Sequence, residues 1–241
     1  MNKQVIGKIR KHMDLMLDQV TSSARSVIVA GSPGVGKTYN IMERLENSER
    51  PYTKASGHSS PLWLYKHLYL NRHEGNILVL DDIDSVMNNN IALNLLKAAM
   101  DTLDERVIEW GSNTKLLGEL PTDFIFKGKI VWVTNFDDRA VTRQSEKNDH
   151  LNAVFSRSTP YRMFYKIDEV RDWCLNVAVN HQLPKAFDKQ ADRDKMFTFY
   201  CENFARFRRQ DLRTLHHLIQ LYKDHGEKYE DHAEVTLMDD V

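Results

Sequence analysis

The chain has 241 residues, of which 41% are hydrophobic and 28% charged, and it carries a formal net charge of -1. This length fits one main domain with a small appendage, and the composition is typical of a soluble globular protein rather than of a disordered chain. A near-neutral balance neither requires nor excludes a nucleic-acid partner, because a local basic surface can lie within a neutral total. The two cysteines are too few for a disulfide framework, and we expect a cytoplasmic protein without a membrane partner.

Apolar residues at helical spacing from Val5 to Val20 predict a first helix, after which apolar runs alternate with helical patterns. The predicted strands are Ser26–Ala30, Tyr52–Ala55, Asn76–Leu80, Arg106–Trp110, Asp123–Phe126, Lys129–Thr134 and Arg162–Ile167. The predicted helices between them are 37–46, one that starts at Ser59-Ser60-Pro61, and 91–103. Strands that alternate with helices predict a three-layer α/β domain with a parallel sheet.

From Asp168 onward the pattern is helical, with predicted helices at 169–179, 193–207 and 210–223. We therefore expect a core domain at 1–167, which includes the first helix, and a small all-α domain at 168–225. Residues 226–241 are polar and acidic with little to bury, and we expect them to form a flexible tail.

A glycine-rich loop, Gly31-Ser32-Pro33-Gly34-Val35-Gly36-Lys37-Thr38, lies between a predicted buried strand and a predicted helix. The pattern GxxxxGK[ST] in this context predicts a phosphate-binding loop. Its glycines allow backbone N–H groups to point at phosphate oxygens beside the positive end of the helix. We expect Lys37 to contact the β- and γ-phosphates of ATP and the Thr38 hydroxyl to ligate Mg²⁺, and we assign the loop through Tyr39 to the nucleotide site.

Polar residues follow two of the predicted buried strands. Asp81 and Asp82 come directly after the first, where adjacent carboxylates are costly unless a cation or a polar partner balances them. We expect Asp81 to bind Mg²⁺ together with Thr38, and Asp82 to act as the base on the attacking water. Asn135 follows the second strand, and we expect its amide to position that water.

These features resemble the AAA+ family of ATPases over roughly Val27 to Lys223. GSPGVGKT is similar to the family's Walker A motif, NILVLDD to Walker B, and VWVTN to sensor 1. The segment Ala153-Val154-Phe155-Ser156-Arg157 resembles the small helix that presents an arginine finger to the neighbouring subunit. Arg213 resembles the sensor 2 arginine of the helical lid, which implies that it contacts the nucleotide.

The resemblance implies that the chain forms a homo-oligomer, a ring or spiral with six subunits as the expected number, and that hydrolysis depends on assembly. Arg157 would place a fixed positive charge where the transferring phosphoryl group becomes more negative. Arg139, Arg143 and Arg162 are alternative fingers. In one departure from the family, Walker B here ends in Asp-Asp instead of the commoner Asp-Glu, so the base at Asp82 is one methylene shorter.

The Asp-Asp ending is similar to that of the superfamily 3 viral helicases, which also share a hairpin before a strand that ends in Thr-Asn. Here the predicted hairpin spans 106–126 and has Lys115 near its tip. Two interpretations stay open for Lys115, a contact with nucleic-acid phosphates and a plain surface position. Trp63 and Tyr65 likewise belong either to a pore loop or to the core.

The expected function is a mechanical step on nucleic acid driven by Mg-ATP hydrolysis, as in a helicase, helicase loader or translocase of DNA replication or a related process. The alternative is a remodeller or assembly chaperone that acts on polypeptide, and a third interpretation is a nucleotide-gated switch with slow turnover. Residues 56–60 lack the aromatic-hydrophobic-glycine triplet of a polypeptide pore loop, which favours nucleic acid. The short ring-building unit is also similar to compact ATPases encoded by bacteriophages.

Overall fold

The computed structural model describes residues 1–57, 59–111, 117–140 and 146–239, so Lys115 and Arg143 lie outside the described residues. The contacts divide the chain into two compact units. The sheet unit comprises Met13–Gly31 and Lys37–Met163, and the helical unit comprises Met1–His12, Ser32–Gly36 and Phe164–Val241. The helical unit therefore starts at Phe164 rather than at Asp168, and it also includes the beginning of the chain and the centre of the glycine loop.

The sheet unit alternates strands with helices, as the sequence predicts. Its strands are β1 (Ser26–Gly31), β2 (Tyr52–Ser56), β3 (Ile77–Asp81), β4 (Val107–Glu109), β5 (Asp123–Ile125), β6 (Lys129–Thr134) and β7 (Thr159–Met163). Its helices are the end of α1 (Lys3–Thr21), α2 (Lys37–Glu46), α3 (Pro61–Leu70), α4 (Asn90–Ala99) and α5 (Glu146–Ser156). The Ser60 side chain accepts a 3.1 Å hydrogen bond from the Trp63 backbone N–H, which confirms the predicted hydroxyl cap at the start of α3.

Five strands form a parallel sheet in the order β2-β3-β6-β1-β7, which confirms the predicted α/β fold class. Strands β3, β6 and β1 are buried along their whole length, as expected for apolar runs covered on both faces. Strand β6 pairs Thr134 with Ala30 of β1 and Val133 with Asp81 of β3. Residues that follow these three strands therefore meet at one edge of the sheet, which we call the carboxyl edge.

The last strand of the sheet lies earlier than the sequence predicts. Strand β7 covers Thr159–Met163, so the prediction of a strand at Arg162–Ile167 is wrong in its position. It stands at the end of the sheet beside β1 and contains Pro160, which an edge strand tolerates because one side needs no backbone donor. Because proline is uncommon in strands, the sequence pattern did not indicate a strand at this position. Ile167, predicted as the end of a strand, begins a helix.

Strands β4 and β5 form a separate antiparallel pair with Ile108 opposite Phe124, which confirms the predicted hairpin. Tyr65 lies fully buried under it, with its ring edge-on to Phe124 at 5.2 Å between centroids. Its hydroxyl donates a 2.8 Å hydrogen bond to the Pro121 carbonyl. Of the two interpretations for Tyr65, the structure therefore favours a core residue.

The helical unit contains α6 (Ile167–Val177), α7 (Leu183–Ala186), α8 (Gln190–Asn203), α9 (Leu212–His225) and α10 (Tyr229–Leu237). A π-helical turn at Ala178–Gln182 joins α6 to α7. The Tyr200 ring packs between Phe204 and Phe207, at 5.4 and 5.7 Å between centroids, and forms the centre of the small core. Within the described residues, no helix has the length and apolar character needed to cross a membrane.

The segment after Gly226 is folded, so the prediction of a flexible tail with little to bury is wrong for its described part. Tyr229 and Ala233 on α10 are fully buried, and Met238 pairs with Phe207 in an isolated antiparallel bridge. Tyr229 and Ala233 are four positions apart and so lie on one helix face. Acidic residues between them made the segment look polar as a whole, although its few apolar residues share that face.

Candidate functional site

The glycine loop follows β1 and leads into α2, at the position that the motif predicts. Gly34 and Gly36 have φ angles of 67° and 97°, in the region that residues with a Cβ rarely adopt. The loop from Ser32 to Gly36 groups with the helical unit, whereas Gly31 and Lys37 group with the sheet unit.

Lys37, the first residue of α2, is 6% exposed. Its Nζ donates to the Gly31 carbonyl at 2.8 Å and to the Asn135 Oδ1 at 3.0 Å. A buried ammonium group is stable only with such partners. The contact with Asn135 brings the predicted phosphate-binding lysine and the predicted sensor residue together at the carboxyl edge.

Thr38 and Asp81, the predicted magnesium ligands, are in direct contact. The Thr38 hydroxyl donates a 2.9 Å hydrogen bond to Asp81 Oδ1. The other carboxylate oxygen, Oδ2, lies 2.8 Å from the Nζ of Lys54 on β2, and Asp81 is buried. The sequence analysis did not single out Lys54, since a lysine in a weakly patterned strand carries no motif.

Asp82 is the one residue other than glycine with a positive φ, 52°, in the part of the chain that the structure describes. Asp tolerates this left-handed conformation better than most residues, although it still costs free energy. Its backbone N–H donates to the Val133 carbonyl at 3.3 Å, and its Oδ1 accepts from Asn135 Nδ2 at 3.3 Å. The turn after β3 thus holds the Asp82 carboxylate, which is exposed to solvent, next to the Asn135 amide.

These contacts form a chain of hydrogen bonds from Lys37 through Asn135 to Asp82 and an adjacent pair, Thr38 and Asp81. We call these five residues the carboxylate network. The Asn135 amide oxygen accepts a hydrogen bond from Lys37, and its nitrogen donates one to the Asp82 carboxylate. The acceptor atom of the amide thus faces a donor and its donor atom faces an acceptor. An exposed carboxylate held beside a fixed amide can orient a water molecule and accept its proton.

The donor set at Thr38 and Asp81 fits Mg²⁺. A hydroxyl and a carboxylate are hard oxygen ligands, and Mg²⁺ is commonly held by one or two carboxylates together with substrate phosphates and water. Among the described residues, no group of three or more His, Cys, Asp or Glu side chains could hold a metal ion. A magnesium ion shared with a nucleotide needs no such group.

The predicted arginine finger lies outside the carboxylate network. Arg157 directly follows α5, and its Nε lies 3.3 Å from Asp101 Oδ2 while its NH1 donates to the Ala153 carbonyl at 2.9 Å. Its side chain is 34% exposed. Arg157 therefore has partners within its own chain, and its role as a finger stays a prediction.

The two alternative fingers that the structure describes, Arg139 and Arg162, also pair with carboxylates of their own chain. Arg162 donates from Nε and NH2 to both oxygens of Asp138, at 2.8 and 2.6 Å, and Arg139 does the same with Asp137 at 2.9 Å in both bonds. Arg139 is the most exposed of the three described arginines. This pairing alone does not distinguish the three arginines.

Two further predicted nucleotide contacts are exposed. Tyr39 on α2 is 60% exposed, and Arg213 lies in the first turn of α9 on the solvent side of that helix. Their contact with a nucleotide stays a prediction.

Solved structures share the fold of this chain. RuvB of Thermotoga maritima, described as a Holliday junction branch migration motor, aligns with a TM-score of 0.52 and 16% identity over 98% of this chain and 69% of its own. A DNA replication initiation factor aligns with a TM-score of 0.54 and 12% identity over 98% of this chain and 66% of its own. At these identities the likeness shows the fold alone.

Sequence comparison adds a bacteriophage relative. An uncharacterized 36.7 kDa protein of Enterobacteria phage T4 is 37% identical over 146 residues, which are 58% of this chain and 45% of the phage protein. The chain thus spans less than half the length of that relative. No family model matches the sequence.

Proposed function

We propose that this chain is an AAA+ ATPase that binds Mg-ATP at its glycine loop and hydrolyses it with the carboxylate network. One observation carries the proposal: Lys37, Asn135 and Asp82 form a continuous chain of hydrogen bonds, with Thr38 and Asp81 in contact beside it. A purely structural cluster does not need an exposed carboxylate in a strained backbone conformation at its end.

Each residue of the network has a distinct task in this proposal. The loop N–H groups and Lys37 would bind the phosphates, and Thr38 and Asp81 would hold Mg²⁺, which would supply positive charge to the phosphate oxygens. Asp82 would accept the proton of the attacking water, and the Asn135 amide would orient that water beside the Asp82 carboxylate. On ATP binding, Lys37 would exchange the Asn135 and Gly31 oxygens for phosphate oxygens, and the Asn135 amide would become available to the water.

We further propose that the chain acts as a homo-oligomer and that Arg157 of one subunit completes the site of its neighbour. Arg157 would exchange Asp101 for the γ-phosphate of the neighbouring site, since a phosphate carries more negative charge than one carboxylate. Such an arrangement makes hydrolysis depend on assembly.

Nucleic acid is the proposed substrate of the mechanical step. Support comes from the two proteins that share the fold, since one is described as a branch migration motor and the other as a DNA replication initiation factor. The absence of an aromatic pore-loop triplet at 56–60 in the sequence points the same way.

The test is the rate of phosphate release from Mg-ATP by the full chain, alone and with single-stranded DNA, double-stranded DNA or an unfolded polypeptide. We expect DNA to raise the rate, and we expect the increase to fall with added salt because phosphate contacts release counterions. The Lys37→Ala variant supplies the background rate. Stimulation by polypeptide and not by DNA would instead support a protein remodeller, and a wild-type rate equal to background would refute the ATPase.

A further inference from the structure

Two consecutive carbonyl groups of the glycine loop are bound by donors from the helical unit. The indole Nε1 of Trp173, on α6, donates to the Val35 carbonyl at 3.0 Å. The backbone N–H of Leu212, the first residue of α9, donates to the Gly34 carbonyl at 3.2 Å. Trp173 and Val35 are 8% and 1% exposed, so the indole bond is shielded from water.

The start of α9 also fits closely against the loop. A Cβ added at Gly34 would lie 2.2 Å from the Cβ of Asp211, the residue that caps α9. The Asp211 carboxylate accepts from the N–H groups of Arg213 and Thr214, and the Asp211 carbonyl accepts from the Tyr200 hydroxyl at 3.0 Å. Asp211 is therefore fixed in place, and only glycine fits opposite it.

The direction of these carbonyls matters for a phosphate site. A phosphate-binding loop uses its N–H groups, so carbonyl oxygens that turned toward the phosphates would repel them. The Trp173 indole and the Leu212 N–H are bonded to these carbonyls, so they oppose a rotation of the peptide planes that would turn the oxygens toward the phosphates. A loop held in this way loses less conformational freedom when it binds its ligand.

We propose that Trp173 and the N–H of Leu212 are positioning groups for the phosphate-binding loop, and that the helical unit thereby controls ATP affinity through the carbonyls of Val35 and Gly34. This inference rests on the proposed nucleotide site. It adds that loop conformation and helical-unit packing change together, so that ATP binding makes both more rigid.

The first test replaces Trp173 by Phe, which removes the indole donor and keeps an aromatic ring. We expect the Kd for Mg-ATP to rise about tenfold, as is typical when a buried carbonyl loses its partner at a site that must stay ordered. The matched control is Trp110→Phe, because the Trp110 indole nitrogen is buried without a hydrogen-bond partner among the described residues. We expect only Trp173→Phe to change the Kd, because only this substitution removes a donor that is bonded to the loop.

The second test replaces Leu212 by Pro, which removes the N–H that reaches Gly34. Leu212 is the first residue of α9, where proline is well tolerated, and Asp211 before it is extended with φ -143° and ψ 177°, as a residue before proline should be. The control Leu212→Ala loses the same side chain and keeps the N–H. We expect a higher Kd for Leu212→Pro than for Leu212→Ala.

Amide hydrogen exchange of the peptide that contains residues 31–38 gives a readout independent of the ligand. Exchange should be faster in Trp173→Phe and Leu212→Pro than in their controls, and ATP should slow it less. If wild type binds ATP and both test variants bind it as their controls do, the positioning role is wrong and the nucleotide site stands. If wild type does not bind ATP, the proposed function itself fails.

Discussion

Two buried lysines lie at opposite ends of the same strand. Lys129 begins β6, and Lys37 bonds to Asn135, which follows the end of β6. Each is 6% exposed. The Nζ of Lys129 donates to the carbonyls of Gln19 and Ser22 near the end of α1, at 2.6 and 3.0 Å, and so ties that helix to the sheet.

The difference lies in the partners and not in the burial. Lys129 donates to two backbone carbonyls, which move little in a folded protein, and this environment is typical of a structural lysine. Lys37 meets an amide side chain that also contacts the exposed carboxylate of Asp82. A buried charge therefore indicates function where its partners are side chains that also contact solvent-exposed groups.

The largest expected effect separates these two lysines. Lys37→Ala should abolish Mg-ATP binding because it removes the charge that faces the β- and γ-phosphates, whereas Lys129→Met should leave the Kd unchanged. Isothermal titration of both variants measures the difference. Tight ATP binding by Lys37→Ala would contradict the site assignment.

Asp82→Asn tests the role of the solvent-exposed carboxylate in the carboxylate network. It keeps the shape and the contact with Asn135 but removes the base, so we expect ATP to bind normally and the turnover rate to fall about 10³-fold. Binding and steady-state phosphate release on the same sample separate the two properties. Undiminished hydrolysis would refute the role of Asp82.

Arg157→Ala tests whether a second subunit contributes to the network. We expect a loss of turnover of about 10²-fold, since one fixed donor to the developing charge is removed. Mixing this variant with Asp82→Asn should restore part of the activity, because one mixed interface then has both an intact base and an intact arginine. Mixtures that stay inactive at every ratio would exclude Arg157 as a finger in trans.

Lys54→Met tests whether the Lys54 ammonium group competes with Mg²⁺ for the Asp81 carboxylate. With the ammonium gone from Asp81 Oδ2, Mg²⁺ faces less competition there, and the Mg²⁺ concentration for half-maximal ATP binding should fall about two- to fivefold, as for a partly exposed ion pair. Lys66→Met, on an exposed position of α3, is the control. An unchanged Mg²⁺ requirement would show that Lys54 does not compete for Asp81.

The effect expected for the structural lysine is on stability instead of nucleotide binding, and it depends on pH. Burial lowers the pKa of Lys129 to about 8, with a smaller contribution from Arg50, whereas the unfolded chain keeps a lysine pKa near roughly 10.4. Between these values the unfolded chain binds a proton that the folded chain does not, so the free energy of unfolding should rise with pH by about 1 to 3 kcal/mol in that window. Denaturant unfolding of wild type and Lys129→Met from pH 7.5 to 10 measures the difference between their slopes. Parallel slopes would contradict a lowered pKa.

The carboxyl edge could be predicted from the sequence, because buried strands are recognisable and polar residues directly after them must converge in a parallel sheet. The contact between Lys54 and Asp81 could not be predicted, since it depends on the strand register that pairs Ser56 with Asp81. Trp173 could not either, because its partner is a backbone carbonyl that no pattern marks. Packing of Tyr229 and the edge position of Pro160 likewise depend on tertiary neighbours that local composition does not reveal.

The most direct test of ATP hydrolysis by an assembled protein is phosphate release per chain, measured over a wide range of protein concentration with saturating Mg-ATP. We predict a rate that rises with concentration as subunits associate, reaches a plateau, and stays at background throughout for Asp82→Asn. A rate per chain that is the same at every concentration would contradict a site shared between subunits. Equal rates for wild type and Asp82→Asn would contradict hydrolysis by the carboxylate network.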